Sequence, residues 1–201
     1  MKGDRATLEF YDRDGAVYAD RSAPKGGYVW LERFISVTPA RGRLLDYGCG
    51  GGWVARRMRD AGRRVEAFDG APGLVAEASR LTGLDVRLMD FDAFDAVARY
   101  DGLWASFCLL HAPRAAMAGH LGRIHRALRP DGVFYLGLKR GEGERRDSLG
   151  RFYVHYQPEE ISALLDAASF ADVEILEQGV AGYDGELSEG MHIYCWKPAN
   201  G

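Results

Sequence analysis

Residues 43–53 read RLLDYGCGGGW, and this stretch decides the fold. A short apolar run meets an acid, Asp46, and then a glycine-rich turn at 48–52. Apolar residues at helical spacing follow, and Gly62 stands where that helix is expected to end. A strand, a glycine turn and a helix together bring backbone N–H groups and a helix N-terminus up to a nucleotide-like ligand. The stretch therefore predicts a cofactor-binding loop.

The bulk composition limits the classes of protein to consider. The chain has 201 residues, a formal net charge of −3 and 47% hydrophobic residues. This length predicts a single domain over residues 1–201 with one core. A nucleic-acid binder usually has a concentrated basic face, so the slightly acidic balance predicts no nucleic-acid partner.

The cysteines and the apolar runs indicate the cellular setting. The three cysteines, Cys49, Cys108 and Cys195, are far apart and lack metal-type spacing. We therefore expect no metal site and a reducing cytoplasm. The first ten residues contain no apolar signal core, and no apolar run approaches membrane-spanning length. We expect a cytoplasmic protein without a membrane partner.

Beyond the glycine turn, strand and helix patterns alternate. Further strands are predicted over residues 64–69, 85–89, 100–107 and 133–139, and helices over 72–82 and 114–128. Residues 130–132 read PDG and predict a turn into the strand at 133–139. This βαβ series predicts a parallel sheet with right-handed crossovers.

The two ends of the chain have a different pattern. Two helices are predicted before the glycine turn, at 7–18 and 24–37, with Pro24 near the start of the second. The charged segment 140–151 predicts a loop, and 158–168 predicts a helix. Strand-like runs at 172–176 and 191–196 end the chain. Their connection is too long for a tight hairpin and long enough to allow mobility.

Trp53 narrows the choice of nucleotide. A dinucleotide-binding turn has G-x-G-x-x-G or a final alanine, so that helix and strand pack closely. Here that last position is Trp53, which disfavours NAD. The pattern that fits is D-x-G-x-G-x-G, from Asp46 to Gly52.

That pattern resembles motif I of the class I S-adenosylmethionine-dependent methyltransferases. Asp69 ends the second strand about 20 residues after the glycines, a spacing that suits an acid on ribose hydroxyls. Asp90-Phe91, YDGLWASFCLLH at 100–111 and RALRPDGVFYLGLK at 126–139 resemble the later motifs of the family. In the last of these Asp131 replaces the usual glycine, which turn chemistry tolerates. A charged GEGE segment is similar to one in a small bacterial, tellurite-resistance-like subgroup.

The resemblance implies an α/β fold. We expect a Rossmann-like, seven-stranded, mostly parallel sheet with helices on both faces and the last strand antiparallel. It also implies an N-terminal helical cap at 1–41, a cofactor-binding core at 42–139 and a substrate-side part at 140–201.

The resemblance implies S-adenosylmethionine as the cofactor. Asp69 would hold the ribose, and Asp90 with Phe91 the adenine. Asp46 would orient the amino-acid end of the cofactor or steady the loop, unless it only caps local backbone. Tyr11 and Tyr18 would seal the pocket or pack in the core. The full predicted cofactor set is Tyr11, Tyr18, Asp46, Gly48, Cys49, Gly50, Asp69, Gly70, Asp90, Phe91, Ser106 and Phe107.

The acceptor side is less defined. A parallel sheet places its chemistry at the carboxyl ends of the strands, which makes His111, Tyr153 and His155 the candidate catalytic residues. His111 could equally be a satisfied, half-buried histidine. Lys139, Arg140 and Tyr156 are further candidates. The arginines of 140–151 could bind an anionic acceptor, or the segment could be a solvated connection neutralised by its own acids.

The sequence predicts methyl transfer from S-adenosylmethionine to a small-molecule acceptor, since no separate substrate domain remains. No N-P-P-Y-like motif follows the fourth strand, so methylation of adenine or of a side-chain amide is not supported. Two alternatives stay open: a cofactor-binding regulatory protein without turnover, and an NAD-dependent oxidoreductase. The sequence does not indicate the oligomeric state.

Overall fold

The computed structural model describes residues 3–22 and 26–199. The prediction of one helix over 7–18 was wrong, because the chain forms α1 (Arg5–Arg13) and α2 (Gly15–Ser22) with a break at Asp14. Pro24, the predicted start of the next helix, lies outside the described residues. That helix is α3 (Val29–Val37), and it ends at Thr38 as the following proline predicts.

The remaining elements follow the predicted alternation of strands and helices. The strands are β1 (Arg43–Tyr47), β2 (Arg64–Asp69), β3 (Arg87–Leu88), β4 (Tyr100–Ser106), β5 (Leu128–Lys139), β6 (Glu144–Arg146), β7 (Phe152–Val154), β8 (Ala171–Ala181) and β9 (Leu187–Trp196). The later helices are α4 (Trp53–Asp60), α5 (Pro72–Thr82), α6 (Met117–Ala127) and α7 (Pro158–Ala167). Short 3₁₀ turns occur at Phe91–Ala93, Leu109–His111 and Arg114–Ala116. Among the described residues, no helix is long and apolar enough to cross a membrane.

The main sheet confirms the predicted Rossmann-like architecture. Its seven strands lie in the order β3-β2-β1-β4-β5-β9-β8. Neighbouring strands are parallel from β3 to β5, whereas β9, the last strand in the sequence, is antiparallel to β5 and β8. Parallel strands align their carboxyl ends at one edge, and open α/β sheets bind ligands there.

Alternate residues of the central strands face opposite sides of the sheet. In β4, Leu103 packs on the side of α6 and α7, whereas Trp104 packs on the side of α3 and α4. In β5, Phe134 and Tyr135 repeat this alternation. Both faces are therefore covered by helices, which is why these strands are almost wholly apolar.

The PDG sequence at 130–132 forms a bulge at the start of β5. Tyr100 pairs with Leu128 but Gly102 pairs with Val133, so the extra residues of β5 bulge out between these pairs. Asp131 has a φ of +61°, a conformation that aspartate accepts more readily than most residues. The predicted turn is therefore present, although it lies within the strand.

Two predictions for the C-terminal part were wrong. The segment 140–151 is not wholly a loop, because β6 and β7 pair as an antiparallel hairpin. The connection between the last two strands is also short. β8 extends to Ala181 and β9 begins at Leu187, and Gly182 N–H donates to the Glu186 carbonyl over 2.8 Å to close the turn. Main-chain pairing to a neighbouring strand stabilises both segments despite side chains of low strand propensity.

Glycines allow α1 and α2 to lie directly on α5. A Cβ atom on Gly15 would fall 2.8 Å from the carbonyl carbon of Gly73. The Asp12 carboxylate accepts from Gly73 N–H over 2.7 Å, at the N-terminus of α5 where a negative charge is favourable. These contacts hold the N-terminal helices over the carboxyl edge of the sheet.

Candidate active site

A cleft at the carboxyl edge of the sheet gathers most of the predicted site residues. It has a narrow chamber of about 100 Å³ and a wide chamber of about 600 Å³. The chambers share seven lining residues: Tyr11, Tyr18, Gly48, Gly50, Ser106, Phe107 and His111. All twelve residues predicted to bind the cofactor line one chamber or both.

The glycine turn after β1 requires glycine for two different reasons. Gly48, Gly50 and Gly52 all have positive φ, between +53° and +79°. A Cβ on Gly48 would also lie 2.7 Å from Cys108 Cβ, and one on Gly52 would lie 2.8 Å from Thr82 Cγ2. The turn is therefore compact on its protein side and presents bare backbone to the cleft.

Trp53 begins α4 and does not occupy a close helix–strand contact. Its ring meets Tyr28 edge-on, with centroids 5.5 Å apart, and it lines the wide chamber. Gly52 instead makes the close approach, towards α5. This differs from the dinucleotide arrangement, as the sequence predicted.

Asp69 lies at the end of β2 with its carboxylate held by backbone. Oδ2 accepts from Gly50 N–H over 2.9 Å, and Oδ1 accepts from Ala71 N–H over 3.0 Å. Burial raises the pKa of this carboxyl, and the backbone donors, Gly70 among them, oppose that shift. These three donors leave at least one lone pair of the carboxylate free, and Asp69 lines the narrow chamber.

Asp46 steadies the first turn of α4. The side chain is 2% exposed, and its Oδ2 accepts from Ala55 N–H over 3.0 Å. Burial raises the pKa of this carboxyl to about 8. The hydrogen bond to Ala55 is the loop-steadying contact that the sequence analysis gave as one of the possible roles of Asp46. Asp46 also lines the wide chamber.

The far end of the narrow chamber is acidic and aromatic. Asp90 and Phe91 line it, and the Phe91 ring stacks on Tyr47 with centroids 5.0 Å apart. Asp95, from the same acid-rich segment, lies outside the cleft and pairs with Arg126. No group of three potential metal ligands occurs among the residues that the structure describes.

His111 belongs to a hydrogen-bonded chain rather than standing free. Its Nδ1 lies 2.6 Å from the Phe152 carbonyl, which can only accept, so this nitrogen carries the proton. Nε2 therefore accepts from the Tyr11 hydroxyl over 3.0 Å. Burial lowers the pKa of His111 to about 4, so the ring is neutral at pH 7.

Arg151 continues this chain as a buried cation. Its Nη1 donates to the Tyr11 hydroxyl over 3.0 Å, and its Nε donates to Asp147 over 2.8 Å. The residue is 1% exposed. Four aromatic rings surround its guanidinium at 5.0–5.7 Å: Phe10, Tyr11, Tyr153 and Tyr183. Arg151 thus ties α1 to the β6–β7 hairpin at the wall of the wide chamber.

The other predicted acceptor-side residues separate into two groups. Tyr153 and Lys139 line the wide chamber. His155 lines neither chamber; it is buried beside Gly141, whose added Cβ would lie 3.2 Å from His155 Cβ. Tyr156 lies against the guanidinium of Arg114, 4.7 Å from its ring centroid. The structure does not bring these last two residues into the cleft.

Two wide-chamber residues, His192 and Trp30, were not identified from the sequence. His192 is 1% exposed, and its Nδ1 lies 2.7 Å from the Tyr135 hydroxyl. Its ring stacks on Trp30 with centroids 4.2 Å apart. His192 pairs with Gly137 across β5 and β9, so strand alternation could have placed it at the carboxyl edge.

These residues fit S-adenosylmethionine. The glycine turn presents bare backbone to the cleft, and a Cβ added at Gly50 would stand between that backbone and the Tyr18 ring, 3.4 Å away. Asp69 offers acceptor lone pairs suited to ribose hydroxyls. Asp90 and Phe91 offer a hydrogen-bonding group and an aromatic face for a base.

Comparisons with known proteins agree with this geometry. Residues 44–132 match the family model described as a methyltransferase domain. The malonyl-[acyl-carrier protein] O-methyltransferase of Enterobacter lignolyticus (strain SCF1) is 34% identical over 154 residues, which are 75% of this chain and 58% of that protein. The chain thus spans less than two thirds of that relative.

Solved structures extend the likeness over most of the chain. The 1,6-didemethyltoxoflavin-N1-methyltransferase of Burkholderia thailandensis, solved with S-adenosylhomocysteine and its substrate, is 26% identical with a TM-score of 0.67. The match covers 96% of this chain and 88% of that one. An S-adenosylmethionine-dependent methyltransferase of Methanosarcina mazei shares the fold, with a TM-score of 0.74 at 15% identity, over 86% of this chain and 98% of that one.

The fold and cleft define a class of protein with a Rossmann-like sheet and a cleft at its carboxyl edge that fits a nucleoside. With the match of residues 44–132 to the methyltransferase-domain model, they make the chain similar to the S-adenosylmethionine-dependent methyltransferases. S-adenosylhomocysteine, the demethylated form of that cofactor, is bound in the Burkholderia structure.

Proposed function

We propose that this protein transfers the methyl group of S-adenosylmethionine to a small-molecule acceptor. The observation that carries the proposal is the continuity of the cleft. A chamber suited to a nucleoside opens, between Ser106 and Phe107 and the tyrosines of the N-terminal helices, into a wider aromatic chamber. The cofactor would occupy the narrow chamber and the glycine-turn side of the wide one, and the acceptor would occupy the rest.

On the cofactor side the proposed roles rest on the contacts and positions of the lining residues. Asp69 would accept from the ribose hydroxyls with the lone pairs that Gly50 and Ala71 leave free. Asp90 and Phe91 would bind the adenine. The bare backbone from Gly48 to Gly50, with Cys49 between them, would meet the amino-acid end. Asp46 would hold the turn in place through Ala55.

For methyl transfer, this chain would have to align the acceptor with the methyl group and exclude water from the cleft. The bound sulfonium supplies an already activated methyl group. Phe107 has a φ of +52°, a strained conformation for a bulky residue that directs the chain across the junction of the chambers. Tyr11 and Tyr18 pack edge-on, 4.9 Å between centroids, and would close the cleft above the cofactor. Near-attack geometry of this kind supplies much of the rate enhancement for a displacement.

His111 and Tyr153 would position the acceptor side rather than act as strong bases. The Nε2 lone pair of His111 already accepts the Tyr11 hydroxyl proton. Burial raises the pKa of Tyr153 well above its usual range, so its hydroxyl stays protonated. The catalytic role predicted for His155 stays a prediction, because that residue lines neither chamber.

The domain division, the subgroup and the cellular location belong to the same proposal. We take residues 1–201 as one domain, with a cap at 1–41, a cofactor core at 42–139 and a substrate-side part at 140–201. The tellurite-resistance-like subgroup and the cytoplasmic location stay predictions. The comparisons give no support to the regulatory or the NAD-dependent alternative. The name of the Enterobacter relative describes O-methylation of a malonyl group, so carboxylates belong among the acceptors to test.

The proposal is tested by transfer of labelled methyl from S-adenosylmethionine to a panel of thiols, phenols, amines, carboxylates and chalcogen oxyanions. We expect at least one class to be labelled. Asp69→Ala should abolish the labelling, whereas Asp95→Ala, outside the cleft, should leave it unchanged. Cofactor binding without transfer to any class would favour the regulatory alternative instead.

A further inference from the structure

The arginines of the 140–151 segment do not provide a free positive charge. Each has a carboxylate partner, so the field of the segment is largely neutralised. The four ion pairs are Arg140–Glu177 at 2.6 Å, Arg145–Glu186 at 3.1 Å, Arg146–Asp4 at 2.7 Å and Arg151–Asp147 at 2.6 Å.

Lys139 is different. It is the last residue of β5, it is 7% exposed, and it lines the wide chamber. Its ammonium has no ion pair or hydrogen bond to any residue in the described part of the chain; the Tyr153 ring lies beneath it, 4.8 Å from Nζ to the centroid. Burial lowers the pKa of Lys139, and the more distant charges of Asp184 and Glu186 oppose that shift.

An unpaired ammonium buried at a chamber wall is energetically costly. A ligand that brings an anionic group removes that cost and gains a charge-assisted hydrogen bond. The cation therefore favours an anion over a neutral ligand of the same shape.

The other residues that line the wide chamber indicate what kind of molecule carries this anionic group. Its wall is rich in aromatic rings, which suit a flat apolar body: Tyr28, Trp30, Trp53, Trp104, Phe107, Tyr153 and Tyr183. His192 is the buried polar group beside them, stacked on Trp30.

We propose that the acceptor is a small acid, whose carboxylate or phosphate pairs with Lys139 Nζ while its apolar body lies against these rings. This inference rests on the proposed function, which assigns the wide chamber to the acceptor. It makes Lys139 a specificity-determining residue.

Calorimetry on the protein saturated with S-adenosylhomocysteine tests this directly. Benzoate and benzamide have the same shape and differ in charge, and inorganic phosphate tests the other oxyanion. We expect benzoate or phosphate to bind saturably and benzoate to bind at least about tenfold more tightly than benzamide. Lys139→Met should remove that preference, with about a tenfold loss for the anion and little change for benzamide.

The matched control is Arg140→Met. It removes one positive charge at the next position, but Arg140 is exposed and paired with Glu177 outside the cleft. Its anion affinity should equal that of the wild type. Lys139→Met should also unfold at no lower temperature than the wild type, because it replaces a buried unpaired charge with an apolar chain.

Equal anion affinity in Lys139→Met and wild type would overturn the inference, and so would a wild type that binds neither anion. Weaker S-adenosylhomocysteine binding in Lys139→Met would overturn it too, since the lysine would then hold the cofactor carboxylate. Failure of the proposed function has a different signature: the wild type binds no S-adenosylhomocysteine or labels no acceptor.

Discussion

The cleft has two walls on either side of β4, and they are built differently. The turn wall consists of residues 46–52 and Asp69, at the ends of β1 and β2. The far wall consists of Trp30, Lys139, Arg151, Tyr153 and His192, from α3, β5, the β6–β7 hairpin and β9. The turn wall combines the backbone of one short segment with the carboxylate of Asp69 on the neighbouring strand. The far wall works through side chains that only the tertiary structure brings together. The turn wall is thus largely local in sequence, and the far wall is not.

The largest effect should come from breaking the far wall at Arg151. Arg151→Met leaves the Asp147 carboxylate buried without its partner and removes the donor to Tyr11. We expect the free energy of unfolding to fall by about 3–5 kcal/mol, measured by urea titration. The double variant Arg151→Met/Asp147→Leu should recover part of that loss, because no unpaired charge remains. An Arg151→Met protein as stable as the wild type would show that Arg151 does not hold the hairpin to α1.

The turn wall should be most sensitive at Asp69. Asp69→Ala removes the acceptor for the Gly50 and Ala71 N–H groups as well as the proposed ribose contact. We expect S-adenosylhomocysteine to bind about 100-fold more weakly, which corresponds to about 2.7 kcal/mol. Asp69→Asn keeps one acceptor oxygen and should lose less. Calorimetry of both variants, with Asp95→Ala as the control, decides whether the charge or only the hydrogen bond matters; undiminished binding in Asp69→Ala would refute the ribose role.

A smaller effect tests the contact between the glycine turn and the cap. A Cβ on Gly51 would lie 2.6 Å from Ala19 Cβ, so Gly51→Ala must push α2 away from the turn. We expect a loss of about 1–3 kcal/mol in unfolding free energy. Gly122→Ala, on α6 with nothing within 4 Å of its added Cβ, should leave stability unchanged or raise it. Equal unfolding free energies of the two variants would mean that α2 does not pack against the glycine turn.

The smallest effects are expected in the pH dependence of stability, where the two walls should have opposite signs. Burial lowers the pKa of His192 from 6.5 to about 4, so its contribution is present above about pH 6.5 and is lost as pH falls towards 4. Burial raises the pKa of Asp46 from 3.8 to about 8, so stability decreases as pH rises between these values.

Each group contributes a slope of at most about 1.4 kcal/mol per pH unit. Chemical denaturation at pH 4.5 to 8 measures it. His192→Gln should reduce the loss at low pH, and Asp46→Asn should reduce the loss at high pH. Variants whose pH profiles run parallel to the wild type would contradict these assignments.

The contrast between the walls also explains what the sequence could predict. The strand at 64–69 and the helix at 72–82 coincide with β2 and α5, because apolar periodicity and glycine or proline at their ends are local signals. Asp69 and the glycine turn were found for the same reason. The β6–β7 hairpin was missed because Glu144 and its charged neighbours have low strand propensity and depend on pairing with β7.

The far wall could not be assembled from local patterns. Trp30 lies in a helix and His192 in a strand, and their stacking is a contact between distant parts of the chain. Lys139 was recognised as a strand-end candidate. That it lacks a carboxylate partner among the described residues, whereas each of the four arginines that follow it has one, can be seen only in the tertiary structure.

The most direct test of the central claim is calorimetric titration of the wild-type protein with S-adenosylhomocysteine and, separately, with NAD. We expect saturable binding of S-adenosylhomocysteine at one site per chain, with an affinity in the micromolar range that is typical of such ligands, and no heat of binding with NAD. Binding of NAD without S-adenosylhomocysteine would contradict this expectation.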